Sequence, residues 1–362
     1  MIRLFTTFLA SLSMTMSIAA AAPLSEKQIA PNVRMIRLAE NVYAFAADNA
    51  TADIVDGNST LILTDDGAVV VDAPGVHLVR THIAEIRKLT KKPVRYLINT
   101  HWHPDHTVGD GAYKKAFPDV EIISDDYTAE IWNRRGPALF EKLIAGEEGE
   151  ALLARFEKNA GSAVDEEGDP KSAYQAGRDA RAATDLKRAF ESAAKTGFAG
   201  PTRTFSDKMT LTLGGTEIQL KKFTGHSRGD TVVFLPEEKI LITGDLVIHP
   251  TPYGINSEFR SWPETLDALL AYDARIIVPG HGDMQYSMDY ILLQQKLIRA
   301  LRDQANRAVS ERRKLAEFQA EIDLEEFRLK IAGDDPDLNW AWKNYFLDPA
   351  PPVVFDMAGG SR

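Results

Sequence analysis

Apolar positions along this chain change period repeatedly, and the changes mark out alternating strands and helices. Asn41 to Ala47 alternates apolar and polar residues and predicts a strand. Ser59 to Thr64 and Ala68 to Asp72 predict a hairpin turning at Asp65-Asp66-Gly67. His77 to Leu89 carries helical spacing, Val94 to Asn99 predicts a strand, Val108 to Phe117 a short helix, and Val120 to Ser124 another strand. After residue 200 the scheme recurs: a hairpin from Thr210 to Phe223 around Gly214-Gly215, then a hairpin from Thr231 to Thr243 around Pro236-Glu237-Glu238. A helix from Pro263 to Tyr272 and a strand from Arg275 to Val278 follow. Mixed strands with helices outside them permit an α/β sandwich.

Residues 127–200 interrupt the scheme. They are rich in Ala, Glu, Lys, Arg and Asp, with helical spacing as in Leu152-Leu153-Ala154-Arg155-Phe156 and an acidic connection from Gly161 to Pro170. This reads as a helical insertion, either a solvated elaboration or a cap over a cleft. Beyond it, Ser287 to Arg307 and Ala316 to Ala332 predict more helix, and residues 311–362 form a helical and aromatic extension. Its aromatic run Trp340 to Phe346 is expected to pack on the core or on a partner subunit. The first residues differ again. Met1-Ile2-Arg3, an apolar stretch Leu4 to Ile18 and four alanines before Pro23 have the form of a signal peptide over residues 1–22. That pattern predicts export to a bacterial periplasm. No later stretch is apolar enough to span a membrane.

Chemistry concentrates in His101-Trp102-His103-Pro104-Asp105-His106. In an extended segment, side chains at i and i+2 face the same side, so His101 and His103 can hold one ion. Asp105 and His106 follow where the chain turns, free to face a second. Imidazole nitrogen and carboxylate oxygen are donors that zinc and iron accept. Three further donors stand at strand ends beside glycine: His226 in Gly225-His226-Ser227, Asp245 in Gly244-Asp245, and His281 in Gly280-His281-Gly282. Singly each has the look of turn chemistry. Together they point to a metal site. Of the eight histidines, His77 and His82 lie on a predicted helix and are expected at the surface.

The order HxHxDH, then His226, Asp245 and His281, resembles the metallo-β-lactamase superfamily over about Val33 to Tyr290, the insertion excepted. The resemblance implies a four-layer αβ/βα sandwich, with residues 33–126 and 201–310 forming the catalytic domain. It implies two Zn2+ ions: His101, His103 and His226 on the first, Asp105, His106 and His281 on the second, and Asp245 bridging. Asp72 matches the aspartate that supports the ligand loop from behind. Asp105 would also orient a metal-bound hydroxide as the catalytic residue. His249, Tyr253 and Asn256 lie where the family's substrate-facing loop lies, and Arg260 is an exposed-loop cation in the same stretch. The chain has no cysteine, so Asp245 stands where many lactamases carry one. In that it is similar to the superfamily's hydroxyacylglutathione hydrolases, lactonases and phosphodiesterases, and to some ancestral-looking lactamases.

The net charge of −10 argues against nucleic acid as a partner, and the resemblance implies a small-molecule substrate. Glutathione thioesters are cytosolic, whereas β-lactams pass through the periplasm, so an exported β-lactam hydrolase is the leading expectation. Lactone or ester hydrolysis is the nearest alternative. A mononuclear iron sulfur dioxygenase is a third, disfavoured by a full set of donors for two ions.

Overall fold

The computed structural model describes residues 22–31, 33–47, 56–144, 146–165, 168–255 and 257–360. The expected signal peptide, up to residue 21, and Asn256 lie outside the described residues. Eight strands form the first sheet in sequence order: β1 (Ser25–Ala30), β2 (Val33–Arg37), β3 (Val42–Ala47), β4 (Ser59–Thr64), β5 (Gly67–Val71), β6 (Val94–Ile98), β7 (Glu121–Asp125) and β8 (Arg203–Phe205). β1 to β5 pair antiparallel, and β5 to β8 pair parallel. The second sheet has the order β13-β12-β11-β10-β9, from β9 (Lys208–Leu213), β10 (Thr216–Phe223), β11 (Asp230–Leu235), β12 (Ile240–Ile248) and β13 (Ile276–His281).

Side-chain alternation decides the layering. Val69 and Val71 of β5, Ile98 of β6 and Ile123 of β7 point into a core shared with Val233, Ile240, Ile242 and Val278 of the second sheet. Their neighbours Ala68, Val70, Leu97 and Ile122 point the other way, onto Val79, Ile83 and Ile86 of α1 (Val76–Leu89) and Tyr113 of α3 (Asp110–Ala116). On the far face of the second sheet, Leu241 and Ile277 meet Trp262 and Leu266 of α7 (Trp262–Leu269) and Leu297, Ile298 and Leu301 of α8 (Asp289–Ser310). Helix, sheet, sheet, helix is the four-layer sandwich expected from the sequence. The β9–β10 turn takes positive φ at Gly214 (51°) and Gly215 (84°), a two-residue turn whose twist matches a hairpin.

Residues 127–200 contribute α4 (Asp126–Ile144), α5 (Glu147–Ala160) and α6 (Ala173–Thr196), and α6 packs back on α1 and α3. After α8 come α9 (Leu315–Glu321), α10 (Glu325–Ile331), α11 (Pro336–Ala341), a π-helical turn (Trp342–Leu347) and α12 (Ala350–Met357). Phe318, Trp342, Phe346, Val354 and Phe355 from this extension join the core of α7 and α8. No described helix is long and apolar enough to cross a membrane.

Two expectations are corrected. His82 is not on the surface: it is 1% exposed, with its ring stacked 4.3 Å from Phe45. The helical pattern is real, but α1 turns this position toward the sheet. Asp245 does not end its strand in a turn. β12 runs on to Ile248, because β13 still pairs with it beyond the irregularity at Gly244, with Ile248 opposite His281.

Candidate metal centre

The ligand loop leaves β6, and a buried aspartate sets its course. Asp72, just past the neighbouring strand β5, takes φ of 62°, a conformation aspartate tolerates better than most residues. Its Oδ1 accepts the Thr100 N–H at 2.7 Å, and its Oδ2 accepts the Thr100 hydroxyl at 2.7 Å. Oδ2 also lies 2.8 Å from His106 Nδ1, which fixes that ring and leaves Nε2 for the site. Pro104 then opens the single turn α2 (Pro104–Thr107), which carries Asp105 and His106. On the other sheet, Asp230 at the start of β11 accepts the backbone N–H of Gly225 at 3.0 Å and of Ser227 at 2.9 Å, and so holds the His226 loop. Asn58 joins the halves by donating to the carbonyls of Pro279 and Gly282, both at 3.0 Å, beside His281.

The seven donors converge in two groups: His101, His103, His226 and Asp245, and Asp105, His106 and His281. Asp245 serves both. Its Oδ2 lies 3.3 Å from His226 Nε2 and 3.6 Å from His101 Nε2; its Oδ1 lies 3.1 Å from His106 Nε2 and 3.2 Å from His281 Nε2. Asp105 Oδ2 approaches His281 Nε2 at 3.2 Å. Within each group, imidazole nitrogens confront one another: His226 Nε2 and His103 Nδ1 at 3.0 Å, His106 Nε2 and His281 Nε2 at 3.2 Å. Such pairs hold few protons between them, and buried polar atoms without partners are costly. His101 Nε2 and Asp245 Oδ1 are both buried without a hydrogen-bond partner. Lone pairs converging on common points are what divalent metal ions satisfy.

Charge is arranged to match. Burial and neighbouring imidazoles hold His101 well below the ordinary histidine range, and burial takes His226 down to about 3. Both are neutral donors. Burial also pulls on His281, but Asp245 and Asp105 outweigh it and push this group up to about 9; His106 shifts upward for the same reason. Burial opposes ionisation of Asp245 and Asp105, yet the surrounding imidazoles keep both carboxyls well below the usual range. Without metal, the second group therefore binds protons that a cation would displace.

Residues 52–281 match the sequence profile of the metallo-beta-lactamase superfamily. The chain belongs to that superfamily. It is 28% identical over 232 residues, 61% of its length, to a linear primary-alkylsulfatase of Pseudomonas sp. (strain ATCC 19151). It is 35% identical over 94 residues, 24% of its length, to a type 2 metallo-beta-lactamase of Bacteroides fragilis. These matches span 40% and 38% of the two relatives, less than half of either. Among solved structures, it resembles a metallo-beta-lactamase from Pontibacter korlensis with a TM-score of 0.52 and 18% identity, covering 74% of this chain and 99% of that one. It also resembles a stereoselective inverting sec-alkylsulfatase from Pseudomonas sp. with a TM-score of 0.60 and 18% identity, covering 93% of this chain and 50% of that one. At those identities the likeness shows the metallo-β-lactamase fold.

Beside this metallo-β-lactamase-type site, Tyr253 lies with its ring 5.5 Å from that of His281, and burial pushes its phenol well above the ordinary range. His249 packs 4.9 Å from Tyr290 and lines the same cleft. Arg260 stays away from the donors; it reaches the Met357 carbonyl and lines a separate recess with Arg302. The sequence reading missed Arg178 of the insertion and Trp340 and Tyr345 of the extension, which line the cleft beside His281. No motif marks them. The one signal was the aromatic run itself, part of which packs into the core as expected: Trp342 and Phe346 are buried.

Proposed function

We propose that this chain is a dinuclear zinc hydrolase that opens a cyclic amide or ester, a β-lactam ring foremost, with a lactone as the nearest alternative. The observation that supports it is the division of Asp245, whose two oxygens face two separate donor groups. His101, His103 and His226 would hold one ion, Asp105, His106 and His281 the other, with Asp245 between them. With ions held there, the site would supply an acidified water and polarisation of the scissile carbonyl. The protein's own residues do the rest. Asp105 is 23% exposed against 1% for Asp245, so its carboxylate faces the open side of the site, where it can accept a hydrogen bond from the attacking water and orient it. The Tyr253 phenol stays protonated and can donate to the oxygen on which negative charge develops. The N-terminal pattern supports a periplasmic setting, where β-lactams are met.

A second reading is hydrolysis of an alkyl sulfate ester. It is favoured by the greater extent of the alkylsulfatase matches, 61% of this chain against 24% for the lactamase sequence, and 93% against 74% for the structures. The metal-loaded protein should be offered a carbapenem, a cephalosporin, a simple lactone and a primary alkyl sulfate. Ring opening that disappears on chelation is expected. Turnover of the alkyl sulfate alone would replace the first reading with the second, and turnover of none would refute both.

A further inference from the structure

The insertion and the C-terminal extension are far apart in sequence but meet beside His281. Arg178 of α6 lays its guanidinium on Trp340 of α11, with Cζ 3.5 Å from the ring centroid. Trp340 meets Tyr345 edge-on at 5.4 Å, Tyr345 meets Tyr253 at 4.9 Å, and Tyr253 meets His281 at 5.5 Å. A run of rings thus connects a candidate metal ligand to the guanidinium. Beside these rings lies a narrow cleft that opens to solvent. Ile248, Pro250, Leu338 and Ala341 make much of the remaining lining apolar, while Thr251 and Asp337 add polar groups to it.

Arg178 is fixed from behind. Asp179 accepts from its Nε and Nη2 at 3.3 and 3.0 Å, and Asp179 is itself paired with Lys171. All three side chains are no more than 9% exposed. The planar guanidinium is therefore held in one place, and Trp340 stacks on a rigid surface. Stacking on a cation also holds the indole ring at a fixed angle to the cleft.

We propose that this cleft is a specificity subsite that takes a flat aryl group of the substrate, and that Arg178 is the positioning residue that sets Trp340 in its wall. The inference rests on the hydrolase reading for what occupies the metal side. An aryl group entering here meets ring edges and faces at the offset geometries aromatic pairs prefer, and it leaves water for an apolar wall. A flexible alkyl chain gains the second effect without the first.

The test uses the metal-loaded full chain and calorimetric titration with phenylacetate, hexanoate and acetate, whose shared carboxylate makes any metal contact common to all three. Phenylacetate should bind at least tenfold more tightly than acetate and severalfold more tightly than hexanoate. In Arg178→Ala the aryl preference should fall below threefold while acetate affinity stays unchanged. Trp340→Phe should keep most of the preference, which a merely structural role for Trp340 would not require. Equal binding of phenylacetate and hexanoate, or a preference unaltered in Arg178→Ala, would overturn the proposal. If Arg178→Ala does not fold, the wild-type ranking and Trp340→Phe still decide it. Aryl preference without any hydrolysis sinks the hydrolase reading alone; hydrolysis without aryl preference sinks the subsite alone.

Discussion

Replacing Asp72 by Asn tests how the ligand loop is held, because it changes two atoms' chemistry and little of the shape. The carboxylate accepts three hydrogen bonds, at 2.7, 2.7 and 2.8 Å, while nearly fully buried. In the amide, Oδ1 can keep the Thr100 N–H, and the Thr100 hydroxyl can rotate to accept from Nδ2. His106 cannot adjust so easily. Facing an N–H donor, its Nδ1 must become the acceptor, which moves the ring proton to Nε2. That nitrogen lies 3.1 Å from Asp245 Oδ1 and is the one the site needs unprotonated. Hydrogen bonds to a buried charged group are each worth about 1.5–3 kcal/mol, so losing one and weakening another costs about 3 kcal/mol of stability. Loss of such a supporting carboxylate lowers metal affinity about 10–100-fold. Competition titration against a chromophoric chelator, run beside thermal melts, reads both quantities. Wild-type metal affinity in Asp72→Asn would refute the tautomer argument. Asp72→Ala should be worse still, since alanine is strained at a φ of 62°.

Three further expectations follow from the geometry. A Cβ at Gly280 would lie 1.9 Å from Asp245 Oδ1, so Gly280→Ala should be purified with little bound metal, and full occupancy by elemental analysis would contradict the placement of Asp245. Trp262→Ala empties a fully buried site and abandons the Nε1–H donation to Leu246 O, and should cost about 3–5 kcal/mol by urea unfolding; a change under about 1 kcal/mol would mean that core is not packed as described. His281, raised to about 9 in the metal-free protein, stabilises the fold below the unfolded value of about 6.5 and loses that contribution as pH rises through about 9. Metal-stripped protein should accordingly melt at lower temperature as pH climbs from about 6.5 to 9, while metal affinity rises over the same window as the competing proton leaves. A flat profile in both would show that His281 does not carry that proton.

Local pattern exposed most of the scaffold because period-two alternation and helical spacing are properties of short segments. Val69 and Val71 against Ala68 and Val70 already separate two faces of one strand. The donors were legible for another reason: His101 to His106 concentrates potential metal donors in six residues, and the remaining donors sit beside glycines that permit close approach. What escaped depended on tertiary placement. His82 has polar chemistry in a helical stretch, and only the rotation of α1 against Phe45 decides that it is buried. Gly244-Asp245 has the signature of a turn, yet pairing with β13 carries the strand through it. Arg178 and Trp340 lie 162 positions apart, and nothing local in either segment points to their stacking. Similarly, the two strands before Val42 gave no alternation clear enough to announce them.

The most direct measurement is metal stoichiometry combined with X-ray absorption on the purified, metal-loaded protein. Two ions per chain, separated by roughly 3.5–4 Å and both lost in proportion when Asp245 is replaced by Ala, are expected from a carboxylate that faces both donor groups. A single ion per chain, or two ions with no scattering from one to the other, would contradict it.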